Sequence, residues 1–288
     1  MVHYDPYAYE IHEDPYPTYR ALRQAGPVYR NSELNFWALS RHADVLAAFK
    51  DGRLYSNREG VSVDPSTRNS AATLGMSFLA QDPPEHSRIR GLVSHEFTPR
   101  RVAALEPRIR EITCRYLDAQ VGSGGFDVIA DFAGRLPMDV IGELLGVPSA
   151  DRTDLCTWAD LLVHREEGLR DVPPQGREAF GKIRAYFKEL IAERRVRPDE
   201  GLLSALVALQ VEGDMLDENE TLAFCNLMIT AGNETTTKLL ANALYWLAQN
   251  PDQRSKVSED PSQIEPWIEE TLRYDNSTQM LARMLTED

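Results

Sequence analysis

Ala231-Gly232-Asn233-Glu234-Thr235-Thr236-Thr237 is a poor helix sequence set in the middle of a good one. Glycine costs up to about 1 kcal/mol in a helix interior, and three β-branched threonines add to that cost. Threonine hydroxyls can also bond back to the preceding turn and bend the helix. Yet apolar residues keep helical spacing on both sides, over residues 217–249. Asp217 stands where it can cap this helix, with Glu220 three residues later completing a capping box, and Pro251 lies just past the far end. The span is about 32 residues, roughly 48 Å at 1.5 Å per residue. From Ala223 to Leu247 it is largely apolar all round, which predicts burial through the middle of the molecule.

Two readings of the interrupted centre are open. Ala231-Gly232 removes side-chain bulk, so something flat and large could lie against the backbone. Glu234 beside Thr235 then places an acid next to an alcohol, a pair that can relay protons. Alternatively, Ala-Gly serves a close helix crossing and the threonines bond only locally.

Working outward, helical spacing recurs through 101–120, 151–163 and 177–194, with Gly- and Pro-rich breaks at 122–125, 147–148, 173–176 and 198–201. Short helices are predicted over 14–26, closed by Gly26-Pro27, and from about Ala43 to Lys50. Between them, Val28-Tyr29-Arg30 and Phe36-Trp37-Ala38-Leu39 predict a hairpin. Residues 56–81 are rich in Ser, Asp, Gly and Asn and show no period, which predicts a long loop of the kind that forms lids. No internal repeat is present, and strands do not alternate with helices. The predicted fold class is mainly α with a small β region.

Two further motifs flank the long helix. Glu270-Thr271-Leu272-Arg273 puts Glu270 and Arg273 on one helix face, where a surface ion pair is the bland expectation. Asp82-Pro83-Pro84-Glu85-His86-Ser87-Arg88-Ile89-Arg90 runs into Phe97-Thr98-Pro99 and places His86 and Arg90 at i, i+4. Two donors on one face suit an anionic carboxylate, which arginine can bind bidentately.

In this order the motifs resemble those of the cytochrome P450 family. Ala231-Gly232-Asn233-Glu234-Thr235-Thr236 matches its oxygen-activation segment, [AG]-G-x-[DE]-T-T, and Glu270-Thr271-Leu272-Arg273 matches its ExxR motif. Residues 82–99 match the start of the C helix of bacterial members, and Ile141-Gly142-Glu143-Leu144-Leu145-Gly146-Val147-Pro148 matches a connecting segment. The resemblance covers the chain from about residue 14 to its end.

The resemblance implies a P450 fold, with residues 1–288 as a single partial domain, and a haem b cofactor. It implies that His86, Arg90 and Arg283 hold haem propionates, that Ala231 and Gly232 lie against the haem, and that Glu270 and Arg273 brace the haem-binding core. Thr235 would hydrogen-bond bound oxygen, and Glu234 would feed the proton path. The reaction would be a haem-thiolate monooxygenation of a small lipophilic substrate with O2, fed by a ferredoxin or flavodoxin electron donor. Residues 56–81 and the segment from Trp158 to Phe180 would form the substrate lid. The locally basic stretch from His86 to Arg115 would face the donor through Arg88, Arg100 and Arg101, with Glu106–Arg110 and Glu111–Arg115 as internal pairs.

One departure from the family pattern is expected to matter. The family's iron-ligand cysteine sits in a Gly-rich loop after the ExxR helix, and the sequence as given stops at Asp288 with Cys225 as its last cysteine. A fragment inactive by itself is therefore expected. A non-catalytic helical protein that binds an apolar ligand and has lost haem is the alternative.

Composition narrows the rest. Hydrophobic residues make up 42% and charged residues 26%, as in ordinary globular chains. A net charge of −14 argues against nonspecific nucleic-acid binding. No apolar run is long enough for a bilayer, and the polar start lacks a signal peptide's apolar core, so no membrane association and a cytoplasmic location are expected. Cys114, Cys156 and Cys225 form no CxxC or zinc spacing, which predicts buried thiols and no protein metal site.

Overall fold

The computed structural model describes residues 2–210 and 216–287. Thirteen α-helices and four short strands form among them: α1 (Tyr9–Glu13), α2 (Tyr16–Ala25), β1 (Val28–Asn31), β2 (Phe36–Leu39), α3 (His42–Lys50), β3 (Tyr55–Ser56), α4 (Ser70–Met76), α5 (Glu85–Ser94), α6 (Pro99–Asp118), α7 (Leu136–Leu145), α8 (Arg152–Val163), α9 (Pro174–Val196), α10 (Leu202–Gln210), α11 (Glu218–Gln249), α12 (Pro251–Glu259), α13 (Ile264–Tyr274) and β4 (Met284–Leu285). The mainly helical class and the β1–β2 hairpin are as the sequence predicts, with Val28 opposite Leu39 and Asn31 opposite Phe36.

Helix boundaries follow local chemistry. The Asp217 side chain accepts from the Glu220 amide at 2.8 Å, and Glu220 returns the bond to the Asp217 amide at 2.8 Å, closing the capping box of α11. Thr98 caps α6, with Pro99 at its first position. Residues 173–176, read from the sequence as a break, open α9 instead. Proline at a first helical position loses no hydrogen bond, because that amide has no partner within the helix. Gly146 closes α7 at φ +73°, the left-handed conformation that favours glycine.

One core joins α7–α10 and the first half of α11 to Ile89 and Val93 of α5. Leu145, Leu155, Ile183, Phe187, Leu203 and Ile229 are essentially sealed from water, and burying such a side chain contributes about 1.5–3 kcal/mol. α11 is buried only in part. Residues 221–227 and Ile229 are buried among α4, α7 and α8, but beyond Asn233 only Ala243 is. The second half meets α12, α13 and residues 129–133 over only part of its circumference, so the burial expected from Ala223 to Leu247 is met in the first half of the helix alone.

Other expectations change as well. Residues 56–81 hold a 3-10 turn (Pro65–Thr67) and the short helix α4, which packs on α11 and whose Gly75 carbonyl accepts from Asn226 Nδ2 at 2.7 Å. Cys225 is buried and Cys156 half-buried, but Cys114 is exposed on α6. The strand pair β3–β4 has no sequence signal. It sets Ser56 opposite Met284, while the Ala282 amide donates to the Val61 carbonyl at 2.8 Å, and this pairing positions Arg283.

Candidate functional site

Gly232 and Thr235 both use their local chemistry. A Cβ on Gly232 would fall 2.7 Å from Ile141 Cδ1, so the glycine lets α11 cross α7 closely. Ala231 and Thr235, one turn apart, are half-exposed on α11. Thr235 Oγ1 donates to the Ala231 carbonyl at 2.7 Å, which commits the hydroxyl proton and leaves the oxygen's lone pairs free to accept. Thr237 Oγ1 donates to the Ala133 carbonyl at 3.1 Å. The tight crossing at Gly232 and the local Thr235 bond are those of the second reading, while Ala231 and Thr235 stay partly exposed on α11.

Glu234 is ion-paired with Lys238 at 2.5 Å, one turn along α11. It lines a cleft of about 420 Å³ together with Asp160 of α8, His164, Tyr7 and His12. Burial on its inner side, and then the charge of Glu234, push the Asp160 carboxyl up to about 6. Next to Glu234, Asn233 is buried. Its amide lies 3.9 Å from Cys156 Sγ, and its Oδ1 has no partner. Asp160 was not singled out by the sequence; its one signal is a carboxylate within the apolar run Ala159-Asp160-Leu161-Leu162.

The cations expected at the anion site lie on α5 and just before β4. His86 and Arg90 share α5, with the His86 ring tilted against Phe78 at 5.8 Å. Among the described residues, Arg90 is exposed with no hydrogen bond or ion pair. Arg283 is half-buried, lies 5.3 Å over the Phe49 ring, and donates only to the Ala282 carbonyl, at 2.7 Å. Burial lowers its pKa, partly offset by the charge of Asp82. Asp82 itself already accepts from Ser56 Oγ and from the Asn57 amide. Among the described residues, no hydrogen bond joins these residues to Glu234 or Thr235.

Glu270 and Arg273 make the expected pair, bidentate at 2.6 and 2.7 Å and largely exposed. α13 is fastened to the long helix one residue beyond its end. Asp275 accepts from Trp246 Nε1 at 2.8 Å and from Tyr16 OH at 2.6 Å.

The two segments expected to form a lid are tied together. Arg165 Nη2 meets Asp64 Oδ2 at 2.6 Å, and Asp171 Oδ1 accepts from Ser66 Oγ at 2.6 Å and from the Ser66 amide at 3.1 Å. Arg170 reaches both Asp5 and Glu33.

The basic stretch needs correction. Arg88 is ion-paired with Glu220, and Arg101 also has an interaction partner. Glu106–Arg110 forms at 3.1 Å as expected. Glu111–Arg115 does not, because Arg115 turns to the buried Asp139 carboxylate at 2.8 Å and Arg108 takes Glu111 at 2.6 Å. A buried carboxylate gains more from a cation than an exposed one.

A sequence profile of the cytochrome P450 family matches residues 173–281. The P450 numbered 123 of Mycobacterium tuberculosis is 54% identical over 284 residues, covering 99% of this chain and 71% of that protein. Vitamin D(3) 25-hydroxylase of Pseudonocardia autotrophica is 38% identical over 281 residues, covering 96% of this chain and 68% of that one. The crystal structure of CYP109E1 from Bacillus megaterium in complex with testosterone superposes with a TM-score of 0.87 at 29% identity, covering 96% of this chain and 71% of that chain. The chain belongs to the cytochrome P450 family, a family of haem monooxygenases. No helix among the described residues is long and apolar enough to cross a membrane.

The residues present fit part of a haem site. A half-buried guanidinium with no carboxylate in hydrogen-bond reach suits an anionic group supplied from outside the protein. The thiols are less prepared. Burial pushes Cys225 far up and Cys156 up to about 11, so both stay protonated at neutral pH.

Proposed function

We propose that residues 1–288 form a single partial P450 domain, carrying the oxygen-side and propionate-side residues of a monooxygenase that inserts one oxygen atom of O2 into a small lipophilic substrate. Haem b, when bound, supplies the oxidising chemistry. Arg283, Arg90 and His86 hold its carboxylates by charge-assisted hydrogen bonds. The open face at Ala231 and Thr235 receives the ring, and Gly232 sets how closely α11 approaches α7. Thr235, its proton committed to Ala231, accepts a hydrogen bond in the pocket, and Glu234 passes on the proton to be delivered. Glu270 and Arg273 fix α13. None of Cys114, Cys156 and Cys225 supplies the thiolate, since the two inner thiols are held protonated and Cys114 points to solvent. The Asp64–Arg165 and Ser66–Asp171 contacts close the roof over the substrate.

The vitamin D(3) of the hydroxylase relative and the testosterone bound in the CYP109E1 structure support a lipophilic substrate class for this chain. Electrons come from a ferredoxin or flavodoxin. Of the arginines expected to face it, Arg100 is the one without an interaction among the described residues. An apolar-ligand carrier that has lost haem explains Arg90 and Arg283 less well, because such a carrier has no use for two unpaired cations.

The observation that carries this reading is the uncompensated, half-buried Arg283. Titrating this chain and its Arg283→Leu variant with haem tests it. Loss of one charge-assisted bond should weaken binding on the order of tenfold. Equal affinity of the two proteins would overturn the assignment.

A further inference from the structure

The cleft between α8 and α11 holds two carboxylates that nothing above fully employs together. Glu234 of α11 and Asp160 of α8 both line it, Glu234 partly buried and Asp160 exposed. They come from helices far apart in sequence, and α8 is packed directly on α11. Lys238 holds Glu234 on its own helix at 2.5 Å, but no cation is paired with Asp160 among the described residues. Two carboxylates on one cleft with a single cation paired to one of them carry one negative charge too many. The least costly remedy is a proton held by the uncompensated member.

We propose that Asp160 is the proton-loading partner of Glu234, so that the pair takes up one proton from the cleft and holds it beside the Thr235 turn. This deepens the monooxygenase reading and rests on Glu234 being that site's proton donor. The proton passes from the Asp160 carboxyl to the Glu234 carboxylate, and Asp160 recovers one from cleft water. Asp160 acts through Glu234 and is a positioning residue. The raised affinity of Asp160 for a proton agrees with this order.

The other charged groups around the pair are placed to assist or to stay neutral. From the segment after α8, His164, Arg165, Glu166 and Glu167 line the cleft. Arg165 is already committed to Asp64 at 2.6 Å and cannot neutralise Asp160. From the N-terminal side come Tyr7, Tyr9 and His12, and burial raises the Tyr7 hydroxyl, so it stays neutral. Behind the pair, Cys156 stays a thiol, Arg135 bears weakly on it, and the unpartnered Asn233 Oδ1 offers an acceptor for a bridging water.

The test is a carbon-13 NMR titration of side-chain carboxyls on this chain, without haem. In the wild type one aspartate should titrate near 6, and Asp160→Asn should remove that signal. Glu234→Gln should shift the Asp160 midpoint down, because a like charge is gone. Lys238→Met should shift the pair's upper midpoint up, and Asp160→Glu should restore the coupled step. Stability gives a second readout, with a definite sign. A carboxyl raised in the folded state binds a proton more readily than in the unfolded chain. Its contribution is complete below the ordinary carboxylate range and is lost as pH rises through about 6. Asp160→Asn should therefore flatten the decline in urea midpoint between acid and neutral pH. An Asp160 that titrates in the ordinary range, or is unmoved by Glu234→Gln, overturns the proposal and leaves the haem reading standing. Failure of the wild type to bind haem overturns that reading and, with it, the role of the stored proton.

Discussion

Arg152 and Arg283 are both drawn out of water, and the regions around them treat that charge in opposite ways. Between α6, α7 and α8, Arg152 is only 8% exposed, yet every part of its guanidinium is answered. It donates to the Val147 carbonyl at 3.0 and 3.2 Å, to Glu143 at 3.0 Å and to Asp139 at 3.4 Å. Asp139 in turn accepts from Arg115 at 2.8 Å and from Tyr116 at 2.7 Å. A hydrogen bond donated by Arg108, ahead of the one from Arg152, holds the Glu143 carboxyl below its usual range. Between α3, β4 and Asp82, Arg283 has one carbonyl and an aromatic face. A complete network holds helices together, while an unanswered cation keeps its hydrogen-bonding capacity open.

The sharpest way to break this contrast is to remove the answered arginine. Arg152→Ala strands Asp139 and Glu143 and empties the space against Gly142, where the Arg152 side chain now lies. Losing one member of a buried ion network costs about 3–5 kcal/mol. Urea unfolding of the variant should show a loss of that size. A loss smaller than that of an ordinary surface substitution would mean that Arg115 and Arg108 alone hold the carboxylates.

The two regions also differ in how legible they are in the sequence. α11 could be read almost to the residue, because its cap, period and terminator are local signals. The Glu270–Arg273 pair was legible for the same reason, since spacing alone sets it. α4 was not legible. It starts after Asn69 and ends at Ser77, both at positive φ, and it is held by Asn226 from a distant helix. Arg115 choosing Asp139 over Glu111, and Asp160 facing Glu234, depend on which helices pack together. That information lies in the core, not in any window of sequence.

A smaller effect is expected at the roof, where one bond does most of the pairing. Asp64 is nearly sealed, with 4% of its side chain exposed, and Arg165 is its only cation among the described residues. Ser62 Oγ adds a bond at 2.7 Å. Arg165→Ala leaves a buried carboxylate partly satisfied, at a cost of about 1–3 kcal/mol. The loss should be local. Hydrogen exchange should speed up in residues 62–67 and 164–172 while the α7–α10 core stays protected. Acceleration spread evenly over the core would show that the Asp64–Arg165 pair supports the whole fold and not a separable roof.

The smallest effect is expected at Arg283, and it sharpens the comparison most. A guanidinium half out of water has lost hydration, and the Ala282 carbonyl returns only part of it. The nearest acid, Asp82, spends its oxygens on Ser56, Asn57 and Arg58, the last at 3.5 Å. Leucine at 283 keeps an apolar contact with Phe49 and removes the desolvated charge. In the chain without haem, Arg283→Leu should therefore change stability by no more than about 0.5 kcal/mol, and the change should favour the variant if it is resolved at all. The same substitution is the one expected to weaken haem binding on the order of tenfold. Opposite responses in the two assays, little lost in folding and much lost in ligand binding, are the signature of a residue kept for a partner. A folding loss as large as that of Arg152→Ala would mean that Arg283 has a structural counterion after all, and the contrast between the two regions would collapse.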